Sequence, residues 1–250
     1  MKAIILSAGQ GSRLLPLTAN QPKCLLRLGE RTILATQVEE LAAVGVREIL
    51  VVTGFCAGAV ERELEHLARP GLTLRTLFNP FYAVADNLGS CWIARNEMAD
   101  PFLLVNGDTV FERAIPARLL TEATSPITLT IDRKAAYDGD DMKVVLDGTR
   151  LVEVGKNLGT ERIDGESIGM SLYRGPGPRL FVQALDDLMR GPAGTRSWYL
   201  RAIDLLARRG RVGVVSIEGL RWSEIDFPHD LHRASALFAQ PARRALLSAL

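Results

Sequence analysis

The first chemistry in this chain lies between residues 5 and 26, "ILSAGQGSRLLPLTANQPKCLL". Gly9 and Gly11 carry no Cβ, so backbone N–H groups there can come close to an anion. Arg13 can fork onto phosphate oxygens, and Lys23 supplies a mobile point charge. Those residue types suit a polyphosphate. Two familiar assignments fail on spacing. A dinucleotide fingerprint needs a third glycine, and Leu14 follows instead. A phosphate-cradling Gly-Lys-Ser/Thr loop leads directly into a helix, whereas Lys23 comes after Pro16 and Pro22, which resist helix. A glycine turn with two solvated cations fits this loop taken alone equally well.

Two carboxylates lie further along. In "LLVNGD", four buried-type residues lead to Asn106, Gly107 and Asp108. A carboxylate at a strand end beside a glycine can hold Mg²⁺ between protein and phosphates. A turn-forming Asn-Gly-Asp is the plain alternative. In "RWSEIDFPHDL", Asp226 precedes Pro228. With Pro228 at the first helical position the cap falls on Phe227, so Asp226 is not needed as a cap. Asp108 and Asp226 are therefore candidates to share one cation.

The elements that must position these residues alternate. "KAIILSA" is a near-continuous apolar run, as expected of a strand buried on both faces. "RTILATQVEELAAVG" has helical spacing and ends at Gly45. "EILVVTG", "LTLRTLFN", "FLLVNGD" and "PITLTID" read as further strands. "AGAVERELEHLA", "LGSCWIARNEM" and "ARLLTEA" read as helices between them. This order predicts an α/β fold, a Rossmann-like, mostly parallel mixed sheet with helices on both faces. Ligands bind such sheets at the carboxyl ends of strands, where Gly9 and Asp108 sit. After residue 134 the pattern changes. "MKVVLDGTRLVEVGK" reads as a hairpin turning at Asp147-Gly148. "SIGMSLY" and "VGVVSIEG" are strands; "RLFVQALDDLMR", "SWYLRAIDLLARR" and "FPHDLHRASALFA" are helices. We expect one domain over 1–250. Its nucleotide-binding core is 1–134, with an inserted β-rich acceptor-side lobe within 135–235 and a helical tail at 236–250.

The motifs resemble those of nucleotidyltransferases that activate phosphorylated sugars and alcohols. The family signature "AGxGxRL…PK" stands here as Ala8, Gly9, Gly11, Arg13, Leu14, Pro22 and Lys23. "NGD" and "EID" match its two metal carboxylates. "NPFYAVADNLGSCWIAR", "DMKVVLD", "GESIGMSLY", "WYLRAI" and "WSEIDFPHDL" are similar to the phosphocholine cytidylyltransferase branch. The likeness runs in family order to about residue 235. Two positions depart from it: Asp86-Asn87 stands where the branch shows two asparagines, and Ser7 where the family more often has Ala.

The resemblance implies that an acceptor oxygen attacks the α-phosphorus of CTP and that pyrophosphate leaves. The attacking group is already an anion, so the difficulty is bringing polyanions together. Two unit charges at ~4 Å repel by roughly 4 kcal/mol at an effective ε near 20. Positioning and electrostatics then carry the catalysis. The cofactor implied is Mg²⁺ on Asp108 and Asp226. The catalytic cations implied are Arg13, Lys23 and Lys156, the last holding the acceptor phosphate. The implied nucleotide site is Leu6, Ala8, Gly9, Gln10, Gly11, Ser12, Arg13, Lys23, Asn87, Gly89, Ser90, Asn106 and Gly107. Asn87 also reads as a helix cap. The acceptor side is expected from Tyr82, Lys143, Lys156, Glu166, Gly169, Trp198 and Glu224. A quaternary ammonium is held by aromatic faces and carboxylates. Tyr137, Tyr199 and Trp222, with Asp138, Asp140 and Asp141, are further candidates. The partners expected are CTP and a small phosphorylated or phosphonate acceptor. A sugar-1-phosphate nucleotidyltransferase and a non-catalytic nucleotide sensor are the competing readings.

Bulk properties bound these readings. The chain has 250 residues, 47% hydrophobic and 24% charged, with a net charge of +1. Such a balance gives no global field for nucleic acid or an anionic membrane. No apolar run approaches the ~20 residues that cross a bilayer. Cys24, Cys56 and Cys91 are scattered, which fits reduced cytoplasmic thiols. With His66, His229 and His232 they make no zinc-ligand spacing. The amphipathic "ARRALLSAL" end can pack on its own domain or on a second copy, which leaves a homo-oligomer open.

Overall fold

The structure is a computed structural model that describes residues 1–239. From residue 240 on, the tail expected at 236–250 lies outside the described residues. Residues 236–239 belong to the last helix, α7 (Pro228–Ala239).

The N-terminal part alternates as expected: β1 (Lys2–Ser7), the two-residue strands β2 (Arg27–Leu28) and β3 (Arg31–Thr32), α1 (Ile33–Ala43), β4 (Glu48–Thr53), α2 (Ala57–Leu67) and β5 (Thr73–Phe78). Next come α3 (Asn87–Ile93), β6 (Phe102–Asn106), β7 (Thr109–Phe111), α4 (Ala114–Glu122) and β8 (Ile127–Asp132). The hairpin forms as β9 (Lys143–Asp147) and β10 (Arg150–Gly155), followed by β11 (Gly165–Tyr173), α5 (Gly177–Met189), α6 (Leu200–Ala207), β12 (Val212–Ser216) and β13 (Trp222–Glu224). Local chemistry sets the boundaries. The Thr32 hydroxyl caps α1 by accepting from the Ala35 N–H at 2.9 Å. α3 is capped at Asp86, not Asn87, and without a side-chain hydrogen bond.

Nine strands form one sheet in the order β5-β4-β1-β6-β11-β8-β12-β10-β9. β5, β4, β1 and β6 are parallel, and so are β8 and β12. β11 runs against both β6 and β8. This strand, expected among the elements beside the cleft, lies inside the sheet. Its burial on both faces explains why "SIGMSLY" looks like any other core strand. β9 also pairs with the start of β11, so the strands β11, β8, β12, β10 and β9 close into an irregular ring. The seam of that ring is one residue pair, Arg150 with Gly213. The hairpin therefore continues the sheet and curls it.

Alternating side chains feed two cores. Ala3 and Ile5 face Leu34, Val38 and Leu41 of α1 and Ile115 and Leu119 of α4. Ile4 faces the side built from Leu88 of α3, Phe181 of α5 and Ile203 of α6. A third, small cluster matters most for function. Leu14, Leu26, Ile33, Val110, Ile225 and Ala234 meet there, joining the glycine loop to β7, to the segment after β13 and to α7. Leu14 is fully buried, worth about 1.5–3 kcal/mol for a leucine side chain. That burial fixes a loop with little regular structure against both distant carboxylate segments. Among the described residues no helix is long and apolar enough to cross a membrane.

Candidate active site

A short ribbon brings the two acidic segments together. β7 pairs antiparallel with β13, with Thr109 opposite Glu224. The Ile225 N–H then donates to the Asp108 carbonyl at 3.1 Å. Each Asp108, Glu224 and Asp226 offers a carboxylate oxygen, and the three lie within 4.8 Å of one another. Glu224, expected at the acceptor, thus joins the metal-type cluster. Its position two residues before Asp226 is the signal: along an extended strand, i and i+2 share a face.

The turn carrying Asp108 is held from below. The Gly107 N–H donates to the Leu6 carbonyl at 2.9 Å. A Cβ at Gly107 would collide with Ser7 Oγ and the Leu6 carbonyl oxygen. The buried Gln37 amide of α1 donates to the carbonyls of Asn106 (2.7 Å) and Thr109 (2.8 Å), clamping both sides of Asp108. At Asp226, the Asp230 carboxylate accepts from the N–H groups of Asp226 (3.0 Å) and Phe227 (2.8 Å). Gln37 is not legible from motif spacing, because it acts on backbone supplied by another segment; Asp230 acts within its own segment, on N–H groups four and three residues before it.

Charges alternate in a chain across the cleft. Lys23 Nζ lies 2.8 Å from Asp108 Oδ2 and 2.6 Å from Asp226 Oδ1. Arg13 reaches Asp226 Oδ2 at 2.9 Å and Asp140 Oδ2 at 3.3 Å. Lys156 Nζ takes the other Asp140 oxygen at 2.8 Å and lies 4.8 Å from the centre of the Trp198 ring. Gly11, at φ 78°, lets the Lys23 stem pass; a Cβ there would sit 3.0 Å from Lys23 Cβ. Burial alone would lower the Lys23 ammonium, but Asp108 and Asp226 outweigh it and hold the group above the ordinary lysine value. Although part of Glu224 meets the open cleft, desolvation of its carboxyl by the surrounding side chains pushes it up to about 8, with the charges of Asp108 and Asp226 acting in the same direction. Three carboxylates within 4.8 Å of one another, with a buried Asp108 Oδ1 that has no hydrogen-bond partner, form a hard oxygen donor set that fits Mg²⁺. Lys23 already places a positive charge between two of them.

The cleft has three adjoining chambers. Leu6, Ala8, Gly9, Asn87, Ser90 and Gly107 line one of about 360 Å³. Tyr82, expected at the acceptor, lines this chamber as well. A central chamber of about 150 Å³ lies between Arg13, Asn106, Asp108, Lys156, Gly169 and Trp198. A third, of about 500 Å³, holds Asp138, Asp141, Glu166, Trp222 and Glu224. Burial pushes the Glu166 carboxyl up to about 7, with the Lys134 ammonium 3.0 Å away opposing it. Several expected residues have contacts within the fold itself. Gln10 donates to the Thr18 carbonyl, Ser12 is exposed on a 3-10 turn, and Gly89 is buried within α3. Lys143 donates to the Lys156 carbonyl at 3.0 Å. Tyr199 is almost wholly buried, with its ring edge-on to Phe181, and its N–H donates to Asn87 Oδ1 at 2.8 Å. The Tyr137 hydroxyl accepts from the Lys134 N–H.

The model of the MobA-like NTP transferase domain family matches residues 3–161. The chain belongs to that family. The chain is 31% identical over 247 residues to a CMP-5'-(3-aminopropyl)phosphonate synthase of Streptomyces rubellomurinus, covering 96% of the chain and 39% of the relative. It spans 39 to 52% of the lengths of that protein and two bifunctional IPC transferase and DIPP synthases. The solved CTP:phosphocholine cytidylyltransferase of Streptococcus pneumoniae superposes with a TM-score of 0.76 at 22% identity, covering 95% of this domain and 98% of that chain. The inositol-1-phosphate CTP transferase of T. maritima gives a TM-score of 0.80 at 18% identity, covering 95% and 94%. These solved structures share the transferase domain's α/β fold. Phe227, which the motifs did not single out, lies 5.1 Å from the Arg13 guanidinium and backs that cation in the domain.

Proposed function

We propose that this domain transfers CMP from CTP to a small phosphorylated or phosphonate acceptor that carries an amine-type group, releasing pyrophosphate. The observation that carries the reading is the meeting of Asp108, Glu224 and Asp226 within 4.8 Å beside Arg13, Lys23 and Lys156. The named activities of similar proteins, on an aminopropylphosphonate and on phosphocholine, support the nucleotide and the acceptor class. The third chamber supports the amine: in its wall eight carboxylates and Trp222 outnumber Lys134, His229 and Arg233, a balance that suits a cation, and it offers no amide side chain for sugar hydroxyls.

The residues divide the work by charge. Ala8, Gly9, Asn87 and Ser90 bind the cytosine and its ribose. Arg13 and Lys23 neutralise the β- and γ-phosphates, which accumulate charge as the bond to the α-phosphorus breaks. Lys156, steadied by Trp198 and by Lys143 on its carbonyl, holds the acceptor's phosphoryl or phosphonyl oxygens. One of those oxygens forms the new bond to the α-phosphorus in line with the departing pyrophosphate. It enters as an anion, so no side chain need remove a proton. Asp108 and Asp226, with Glu224 in reach, would hold Mg²⁺, which supplies positive charge at the reacting phosphates. The domain's share is orientation and charge cancellation.

Pyrophosphate release tests this reading. Each of the four common nucleoside triphosphates is paired with aminoalkyl phosphates, aminoalkyl phosphonates and sugar 1-phosphates. Release is expected with CTP and an amine-bearing acceptor. Release only with a sugar 1-phosphate replaces the proposal with a sugar nucleotidyltransferase. Binding of CTP without release under any pairing makes the domain a nucleotide sensor.

A further inference from the structure

Residues 133–142 join β8 to β9 without forming a helix or a strand. The segment is knotted on itself. Asp138 Oδ1 accepts from the N–H groups of Asp140 (2.7 Å) and Asp141 (3.2 Å), and Asp141 Oδ2 accepts from the Asp138 N–H at 2.6 Å. Lys134 anchors the knot to Asp141 (2.7 Å) and Glu166 (3.0 Å). Asp140 reaches from it across the central chamber. Its two oxygens meet Arg13 from the glycine loop and Lys156 from just beyond β10. An anion bridging cations from these two walls of the central chamber has the arrangement that a phosphoryl group would have there.

We propose that Asp140 is a built-in substitute for the acceptor's phosphoryl or phosphonyl group: it holds Arg13 and Lys156 in the unliganded domain and is displaced when that group binds. The proposal rests on the reading of Lys156 as the acceptor cation; Arg13, assigned above to the triphosphate, is released by the same displacement to its own phosphates. The exchange is physically easy. The Asp140 side chain is 54% exposed, and exposed ion pairs are individually weak. An incoming phosphoryl or phosphonyl group has three oxygens and more than one negative charge near neutral pH, where the carboxylate has two oxygens and one charge. Displacement removes the segment's tie to Arg13 and Lys156, while Lys134 still ties it through Asp141 and Glu166. Before that event Asp140 keeps the cations pointed at each other. Its cost is a reduced apparent affinity for the acceptor, because the competent state must first be released.

The test uses the full chain and methylphosphonate as probe, titrated calorimetrically. Asp140→Asn and Asp140→Ala are both expected to bind the probe about 2- to 10-fold more tightly than the parent. The KM for the acceptor should fall in parallel without a matching rise in kcat. Adding Lys156→Met should erase the gain. Equal or weaker binding in both Asp140 variants, with binding still lost in Lys156→Met, overturns the substitute and leaves the reading of Lys156 standing. Probe affinity unchanged by Lys156→Met alone overturns that reading and the substitute with it.

Discussion

Lys23 Nζ lies 2.6 Å from Asp226 Oδ1, although 203 positions separate the two residues. The same ammonium touches Asp108, so a protein cation bridges the two carboxylates that we propose as metal ligands. This arrangement explains how mutually repelling acids persist in the unliganded fold. It also implies that Lys23 and a divalent ion compete for the same oxygens. Once released, the lysine is free to meet phosphate.

Lys23→Met therefore has two expected effects. Without divalent ions, Asp108 and Asp226 lose the ammonium they share, only Asp226 keeping a second cation in Arg13, and the melting temperature drops by about 2–8 °C. Excess Mg²⁺ then restores more stability to the variant than it adds to the parent, since no ammonium has to leave. Scanning calorimetry with chelator and with Mg²⁺ reads both. An equal gain from Mg²⁺ in the two proteins would show that lysine and metal do not compete.

Gln37→Leu removes both donors that clamp the Asp108 turn while keeping the side chain's bulk. The carbonyls of Asn106 and Thr109 lose their partner, at a cost of about 1–3 kcal/mol. We expect kcat to fall at least tenfold with a smaller change in the KM for CTP, because the clamp holds both sides of Asp108, a proposed metal ligand, whereas the nucleoside chamber has most of its wall elsewhere. Paired measurements of steady-state rates and urea midpoints decide this. A destabilised variant with parental kcat would make Gln37 purely structural.

Glu166 supplies the pH dependence. Its carboxyl, at about 7 in the folded protein, lies above the ordinary value of 4.5. A raised carboxyl favours the fold while protonated, so its contribution is full below 4.5 and is lost as pH rises through 7. Glu166→Gln mimics the protonated form at every pH. The variant's melting temperature minus the parent's should therefore grow between pH 5 and pH 8. A difference that is flat or shrinks over this range rejects the assignment.

Gly107→Ala tests the contact beneath Asp108. The added methyl meets Ser7 Oγ and the Leu6 carbonyl, and overpacking of this kind costs about 1–3 kcal/mol. Adding Ser7→Ala removes the hydroxyl but leaves the carbonyl. The double variant should recover part of the lost stability and little of the lost turnover. Full recovery of both would mean that the backbone approach is not needed.

Much of this was legible in the sequence where a segment's own pattern determines its structure. The strand of "KAIILSA", the Asp147-Gly148 hairpin and the helix starting at Pro228 follow from local residue chemistry. The meeting of Asp108 with Asp226 followed from motif likeness alone, since nothing near either aspartate encodes the other. What stayed hidden depends on partners far along the chain. β11 looks like any buried strand, so its place between β6 and β8 could not be read from its residues. Asn87 has the composition of a cap, yet its side chain accepts from Tyr199 on another element. Gln37 reads as one polar residue on an apolar helix face, and its purpose is defined only by carbonyls 69 and 72 positions away.

The ring formed by β11, β8, β12, β10 and β9 has a consequence for how the molecule breathes. On that side the strands have neighbours on both flanks, and the one thin place is the Arg150–Gly213 seam. At the opposite margin β5 has β4 on one flank and no strand on the other among the described residues. Amide exchange should thus begin along β5 and reach the ring last. The cleft then has one yielding jaw, next to the nucleoside chamber, and one firm jaw, which carries Lys156.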